Sequence, residues 1–182
     1  MTWGRVGVLL AATALVAGIA SGADARTDQP LGGARQDPAG DVQPLSGGPA
    51  DPAELDRVDL VAARWSVVPG RRVSVRMRLV DVAPGQLRAS YQLKARIGPV
   101  QGALFLIATR RAVLVHDGYV ARRCRGSRST IDAARDVVRF SLPVRCLPHE
   151  RYSFTPMAFL EDADLGEVAS DRVAVGRWIR VR

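Results

Sequence analysis

From Arg57 onward the chain alternates apolar and polar residues with a period of two. Val73, Val75, Met77 and Leu79 interleave with Ser74, Arg76 and Arg78. Leu87, Ala89, Tyr91, Leu93, Ala95 and Ile97 interleave with Arg88, Ser90, Gln92, Lys94 and Arg96. Successive side chains of an extended strand point to opposite faces of a sheet, so both runs predict half-buried strands. Between them Val82–Gln86 carries Pro84 and Gly85 and predicts a hairpin connection. Arg57–Val68 reads as a preceding strand ending at Pro69-Gly70, with Val61, Ala63, Trp65 and Val67 inward.

Further strands are expected at Ala103–Thr109, Ala112–His116, Tyr119–Cys124, Val137–Leu142, Tyr152–Leu160 and Val173–Val181. In the fourth of these, Val138, Phe140 and Leu142 share one face. Leu104–Ala108 is apolar on both parities, which predicts a central strand covered on both sides. No stretch has a long 3.6-residue apolar repeat, so helix is expected only as single turns near Pro52–Leu55 and Pro143–Leu147. The expected class is all-β: an antiparallel two-sheet sandwich, jelly-roll-like, with a flexible N-terminal arm.

The pattern divides the chain into three parts. Residues 1–25 read as a signal peptide: Arg5 in a short n-region, an uncharged and mostly apolar Val6–Ala20, then Ala23-Asp24-Ala25 as an A-x-A cleavage site. The alternative is an uncleaved anchor, but the apolar run is shorter than the ~18 residues that span a bilayer. Residues 26–53 are rich in Gly, Pro, Asp, Gln and Ala and cannot bury enough surface to fold alone. They form a tether or an extended arm laid against residues 54–182, the sandwich domain. The expected location is therefore secreted or extracytoplasmic, with no transmembrane segment after signal cleavage.

Export changes the reading of the two cysteines. An even count in an oxidising compartment predicts a Cys124–Cys146 disulfide, whose loop of about 20 residues corresponds to roughly 3 kcal/mol. A metal or redox pair would need C-x-x-C spacing or nearby histidines, and the sequence has neither arrangement.

The net charge is +8, and Lys94 is the only lysine. Arginine enrichment reflects either base composition of the gene or a surface that meets polyanions. Paired as a hairpin, the strands around residues 73–79 and 87–97 would gather Arg76, Arg78, Arg88, Lys94 and Arg96 on one outward face. Like charges opposite one another cost stability, so such a face suits an anionic polymer. The bland alternative is a hydrated face whose arginine stems cover apolar surface. The expected partner is a cell-wall polyanion or glycan, with no specific nucleic acid. Arg122, Arg123, Arg125 and Arg128 form a second basic run, expected on a loop edge.

Three motifs carry a resemblance. They are Asp37-Pro38-Ala39-Gly40-Asp41-Val42, Asp56-Arg57-Val58-Asp59-Leu60-Val61, and Cys124-Arg125-Gly126 followed by Ile131-Asp132 and Val137–Leu147. In this order they resemble a group of small exported bacterial proteins of unknown function, whose fold is similar to DOMON domains and family-9-like carbohydrate-binding modules. The resemblance spans about Asp37 to Leu160 and implies two ligands. One is a calcium ion tying the N-terminal segment to the sheet, with Asp37, Asp41, Asp56 and Asp59 as matching ligands. Calcium takes about six to eight oxygens, which clustered carboxylates supply. The alternative is that these aspartates cap turns. Glu161, Asp162 and Asp164 either complete the site or form a solvated loop. The other implied ligand is haem, held by a Met/His pair drawn from Met77, His116 and Met157. Met77 lies on an inward face and is otherwise core filler.

Catalytic signals are thin. His116 and His149 are the only near-neutral bases, both beside turns, and no G-x-S-x-G, H-E-x-x-H or phosphate-loop pattern occurs. Aromatic residues make up only 5% of the chain, and Trp178 is the best candidate for an outward platform for a sugar, though packing against the second sheet is slightly favoured for it. The expected function is an exported, non-catalytic binding or structural module of the cell envelope. The alternative is a small exported enzyme or haem/redox domain.

Overall fold

The computed structural model describes residues 31–45, 51–83, 85, 88–98, 102–118, 120–162, 165–173 and 176–182. The expected signal peptide lies outside them. Two antiparallel sheets account for nearly all of the regular secondary structure among the described residues. The first contains β1 (Leu31–Gln36), β3 (Leu60–Val68), β4 (Arg72–Leu79), β9 (Arg128–Asp132) and β10 (Val137–Pro143), in the order β1-β3-β4-β10-β9. The second contains β2 (Gln43–Pro44), β5 (Arg88–Arg96), β6 (Ala103–Ala108), β7 (Val113–His116), β8 (Ala121–Arg123), β11 (Arg151–Asp162) and β12 (Gly166–Arg172), in the order β2-β12-β11-β5-β6-β7-β8. A further strand, β13 (Trp178–Arg180), pairs with the start of β11.

The inward parity of each strand forms the core. Trp65, Met77, Leu79, Phe140 and Leu142 come from the first sheet, and Leu93, Leu106, Tyr152, Phe154 and Leu160 from the second. Helix is limited to α1 (Pro52–Leu55) and a 3-10 turn at Val144–Cys146. Asp51 caps α1 through a bond from the Ala53 N–H.

β3 and β4 form a hairpin through Pro69-Gly70, where Gly70 sits at φ 69°, a conformation that glycine enters without steric cost. The arm region contributes two strands of its own. β1 pairs along β3 from Leu31↔Val67 to Gln36↔Ala62, and β2 pairs with β12. The close approach of β1 depends on Gly33, where a Cβ would fall 2.4 Å from the Trp65 indole.

Several expectations are corrected. β4 and β5 are not a hairpin: β4 lies between β3 and β10, and β5 lies between β11 and β6. The chain leaving β4 crosses to the other sheet instead. It is held by bonds from Val80 N to Asp59 O and from Val82 N to Asp136 Oδ1. Alternation marks a strand but not its partner. Of the strand expected at Val173–Val181, only β13 (Trp178–Arg180) is strand among the described residues; β12 precedes it, and the Gly176 N–H bonds to Phe154 O between the two. β9 was not foreseen. It is an exposed edge strand, Arg128-Ser129-Thr130-Ile131-Asp132, with little apolar alternation to reveal it. β6 is interior to its sheet but covered on one side only, since Phe105 and Ile107 remain half-buried on the outer face.

The disulfide joins Cys124, just after β8 of the second sheet, to Cys146, just after β10 of the first, with Cα atoms 5.9 Å apart. It fastens the two layers together at one end.

Candidate anion-binding face and carboxylate cluster

The outer face of the five-stranded sheet carries polar rows that run across the strands. In the first row Ala34 opposes Arg64, Arg64 opposes Arg76, Arg76 opposes Arg139, and Arg139 opposes Thr130. Three arginines therefore stand side by side on neighbouring strands, ~4.8 Å apart at the backbone. The next row is Gly32, Ser66, Ser74, Ser141 and Arg128. On the other side of the arginines, Arg78 lies between Ala62 and Val137, with Asp132 at the end of that row.

None of Arg64, Arg76, Arg78, Arg128 or Arg139 forms an ion pair among the described residues. The only acid on these rows, Asp132, is already beside Arg135 at 3.9 Å. Arg72 reaches in from the sheet end and donates to Ser141 Oγ at 2.8 Å and to Gly126 O at 3.2 Å. An open trough of about 360 Å³ runs over the arginine and serine rows. A second, of about 350 Å³, continues past Arg35 and Arg78.

The basic patch expected from β4 and β5 is thereby divided. Arg76 and Arg78 belong to this face, whereas Arg88, Lys94 and Arg96 lie on the outer face of the other sheet. There the charges have company. Arg88 Nε is 3.8 Å from Glu161, and Lys94 Nζ lies 5.7 Å from the Phe105 ring centre. Of the second basic run, Arg122 and Arg123 lie on the β8 edge, while Arg128 joins the serine row.

A second constellation sits where the arm meets both sheets. One carboxylate oxygen each from Asp37, Asp41 and Asp171 lies within 4.8 Å of the others. Asp59 adjoins them: its Oδ2 accepts from the Gly40 N–H, and its Oδ1 is buried without a hydrogen-bond partner. Asp37 Oδ2 is orphaned in the same way. Asp171 Oδ2 accepts from Leu60 N at 2.7 Å, joining β12 to the start of β3. Burial and the neighbouring carboxylates push all three deeper acids upward. Asp37 is raised by burial, then by Asp41 and Asp59. Asp59 is raised mainly by burial, against the Gly40 bond. Asp171 is raised to about 6, mainly by burial and further by Asp37 and Asp41, against its two backbone bonds.

Orphaned buried oxygens, mutual repulsion and an all-oxygen donor set fit a hard divalent cation such as calcium. Of the expected set, Asp37, Asp41 and Asp59 come together. Asp56 does not: it is exposed at the end of α1 and acts on Asp59 only as a nearby charge. Asp171 takes its place. Glu161 instead faces Arg88, and Asp162 Oδ1 caps the following turn by accepting from Leu165 N. Asp164 lies outside the described residues.

The haem pair is not assembled. Met77 is fully buried between the sheets. His116 and Met157 are on the outer face of the second sheet, three strand spacings apart, ~14 Å. His149 is exposed, its N–H donates to Tyr152 Oη, and its ring meets Tyr152 edge-on. Trp178 is 43% exposed, on the outward side of β13.

Comparison with protein-family models, curated proteins and solved structures finds no match. Arg64, Ser66, Arg139 and Ser141 were absent from the expected patch, yet the alternation of β3 and β10 already set them outward. What the sequence did not disclose is that β3, β4 and β10 are neighbours. Asp171 gave no local signal.

Proposed function

We propose that this chain is an exported, non-catalytic module of the cell envelope that binds an anionic polymer or anionic glycan. The binding surface is the outer face of the five-stranded sheet. The observation that carries this reading is the Arg64–Arg76–Arg139 row, three arginines on adjacent strands with no carboxylate partner among the described residues. Cross-strand like charges are destabilising, and a bound oxyanion relieves that cost through charge-assisted hydrogen bonds. Export is supported by the A-x-A leader pattern together with the disulfide. No helix among the described residues is long and apolar enough to cross a membrane.

The carboxylate cluster supports a second element of the reading, a structural calcium ion. Asp37, Asp41 and Asp171 would hold it, with the orphaned Asp59 Oδ1 beside them. The ion would neutralise the acids and tie the arm to both sheets.

Retention on an anionic polymer matrix tests the main reading. Wild-type protein should elute only at raised salt, and Arg64→Ser/Arg76→Ser/Arg139→Ser should pass through at low salt. Equal elution of the two proteins would remove the reading. Thermal melts with calcium and with chelator test the ion, and an unchanged midpoint would count against it.

A further inference from the structure

We infer that the five-stranded face is specific for condensed phosphate, a linear chain of tetrahedral oxyanions laid across the strands. This rests on the polyanion reading above and names its ligand class.

The side chains of the two central rows are Arg64, Arg76, Arg139, Ser66, Ser74 and Ser141. Arginine offers five N–H donors and no acceptor, and serine offers a hydroxyl that can donate. Ser141 is further committed to donation. Its oxygen already accepts from Arg72, so its proton is free to point outward. The rows hold no carboxylate or amide oxygen, so a ligand rich in its own O–H groups would find few acceptors. Sugars and polyols carry such groups. Condensed phosphate carries acceptors along its length.

Geometry points the same way. The serine row lies one side-chain repeat along the strands from the arginine row, ~7 Å at the backbone, a gap that arginine stems span. A tetrahedral phosphoryl group directs oxygens to several sides and can accept from a guanidinium fork and from a serine hydroxyl together. A carboxylate has only two oxygens, with its lone pairs in one plane, so it reaches fewer directions at once. Aromatic platforms are also lacking on these rows, and single-stranded nucleic acid is held by stacking on such platforms. A base-free phosphate chain is what remains.

The test compares affinities at one ionic strength for inorganic polyphosphate, polygalacturonate of matched charge, and a single-stranded oligodeoxyadenylate. Polyphosphate should bind at least about tenfold tighter than polygalacturonate, a difference of about 1.4 kcal/mol. Ser66→Ala/Ser74→Ala should remove most of that preference by weakening polyphosphate binding severalfold more than polygalacturonate binding. Ser66→Thr/Ser74→Thr, which keeps both hydroxyls, should restore it; a melting midpoint near wild type shows each variant folded. Equal affinity for the two polymers, or an alanine pair without effect, overturns the phosphate inference and leaves the polyanion reading standing. Tighter binding of the oligonucleotide also overturns it, in favour of nucleic acid. Failure of all three to bind takes down both.

Discussion

The two outer faces of the sandwich both carry cations and treat them differently. On the eight-stranded sheet, Arg88 has Glu161, Lys94 lies over Phe105, and Arg96 is half-buried between Ala103 and Ser153. On the five-stranded sheet, Arg64, Arg76 and Arg139 oppose one another across the strands beside a row of serines, and form no ion pair among the described residues. Both sets come from strands with the same alternating pattern. The count of arginines therefore says little, and the cross-strand neighbour decides whether a charge is settled within the fold or left for a ligand.

The largest expected effect concerns what holds the two layers together. Cys124→Ser/Cys146→Ser removes the link between the layers and should cost roughly 3 kcal/mol, read as a lower denaturant midpoint. Polymer binding measured well below that midpoint should be retained, because the arginine row belongs to one sheet alone. Loss of binding in the folded variant would show that the face depends on the second layer.

Next in size is the exchange of charges between faces. Arg64→Gln/Arg76→Gln/Arg139→Gln should weaken polymer affinity about hundredfold, or about 2.7 kcal/mol. Arg88→Gln/Lys94→Gln/Arg96→Gln should change it by no more than about twofold, since those groups are engaged or exposed singly. Equal losses would reduce binding to net charge and erase the contrast.

The carboxylate cluster gives a smaller effect, with a defined sign. In chelator the Asp171 carboxyl titrates at about 6 in the folded chain against an ordinary 3.8. Between those values the folded state holds more protons than the unfolded one, so this group's contribution falls as pH rises from about 4 to about 6. Melts in chelator should show that loss, and Asp171→Asn or added calcium should flatten it. A slope identical in Asp171→Asn would place its origin elsewhere.

The smallest effect runs against intuition. Arg76→Thr, in the middle of the row, should stabilise the domain by about 0.5 kcal/mol by removing two like-charge neighbours. A lowered midpoint would mean that the Arg76 stem covers apolar surface worth more than the repulsion.

Much of this was legible in the sequence, within limits set by what alternation encodes. It orients each strand, so the sequence alone sets Trp65, Met77 and Phe140 inward and Arg76 outward. It does not encode pairing, which depends on contacts far apart in the chain. The patch was therefore assembled from β4 and β5, sequence neighbours, rather than from β3, β4 and β10. β9 escaped because an exposed edge strand buries little on either parity. Asp37, Asp41 and Asp59 carried a motif, whereas Asp171 reaches them only through the fold.

The seating of Trp65 has an optical consequence. Its indole is enclosed by Gly33 of the edge strand and by Gly176, with the ring nitrogen shielded from solvent. Peeling β1 away would admit water to that ring while the rest of the interior stayed closed. Trp65 emission should therefore shift to longer wavelength when the arm detaches, ahead of global melting, giving a native fluorophore for the latch between arm and sheet.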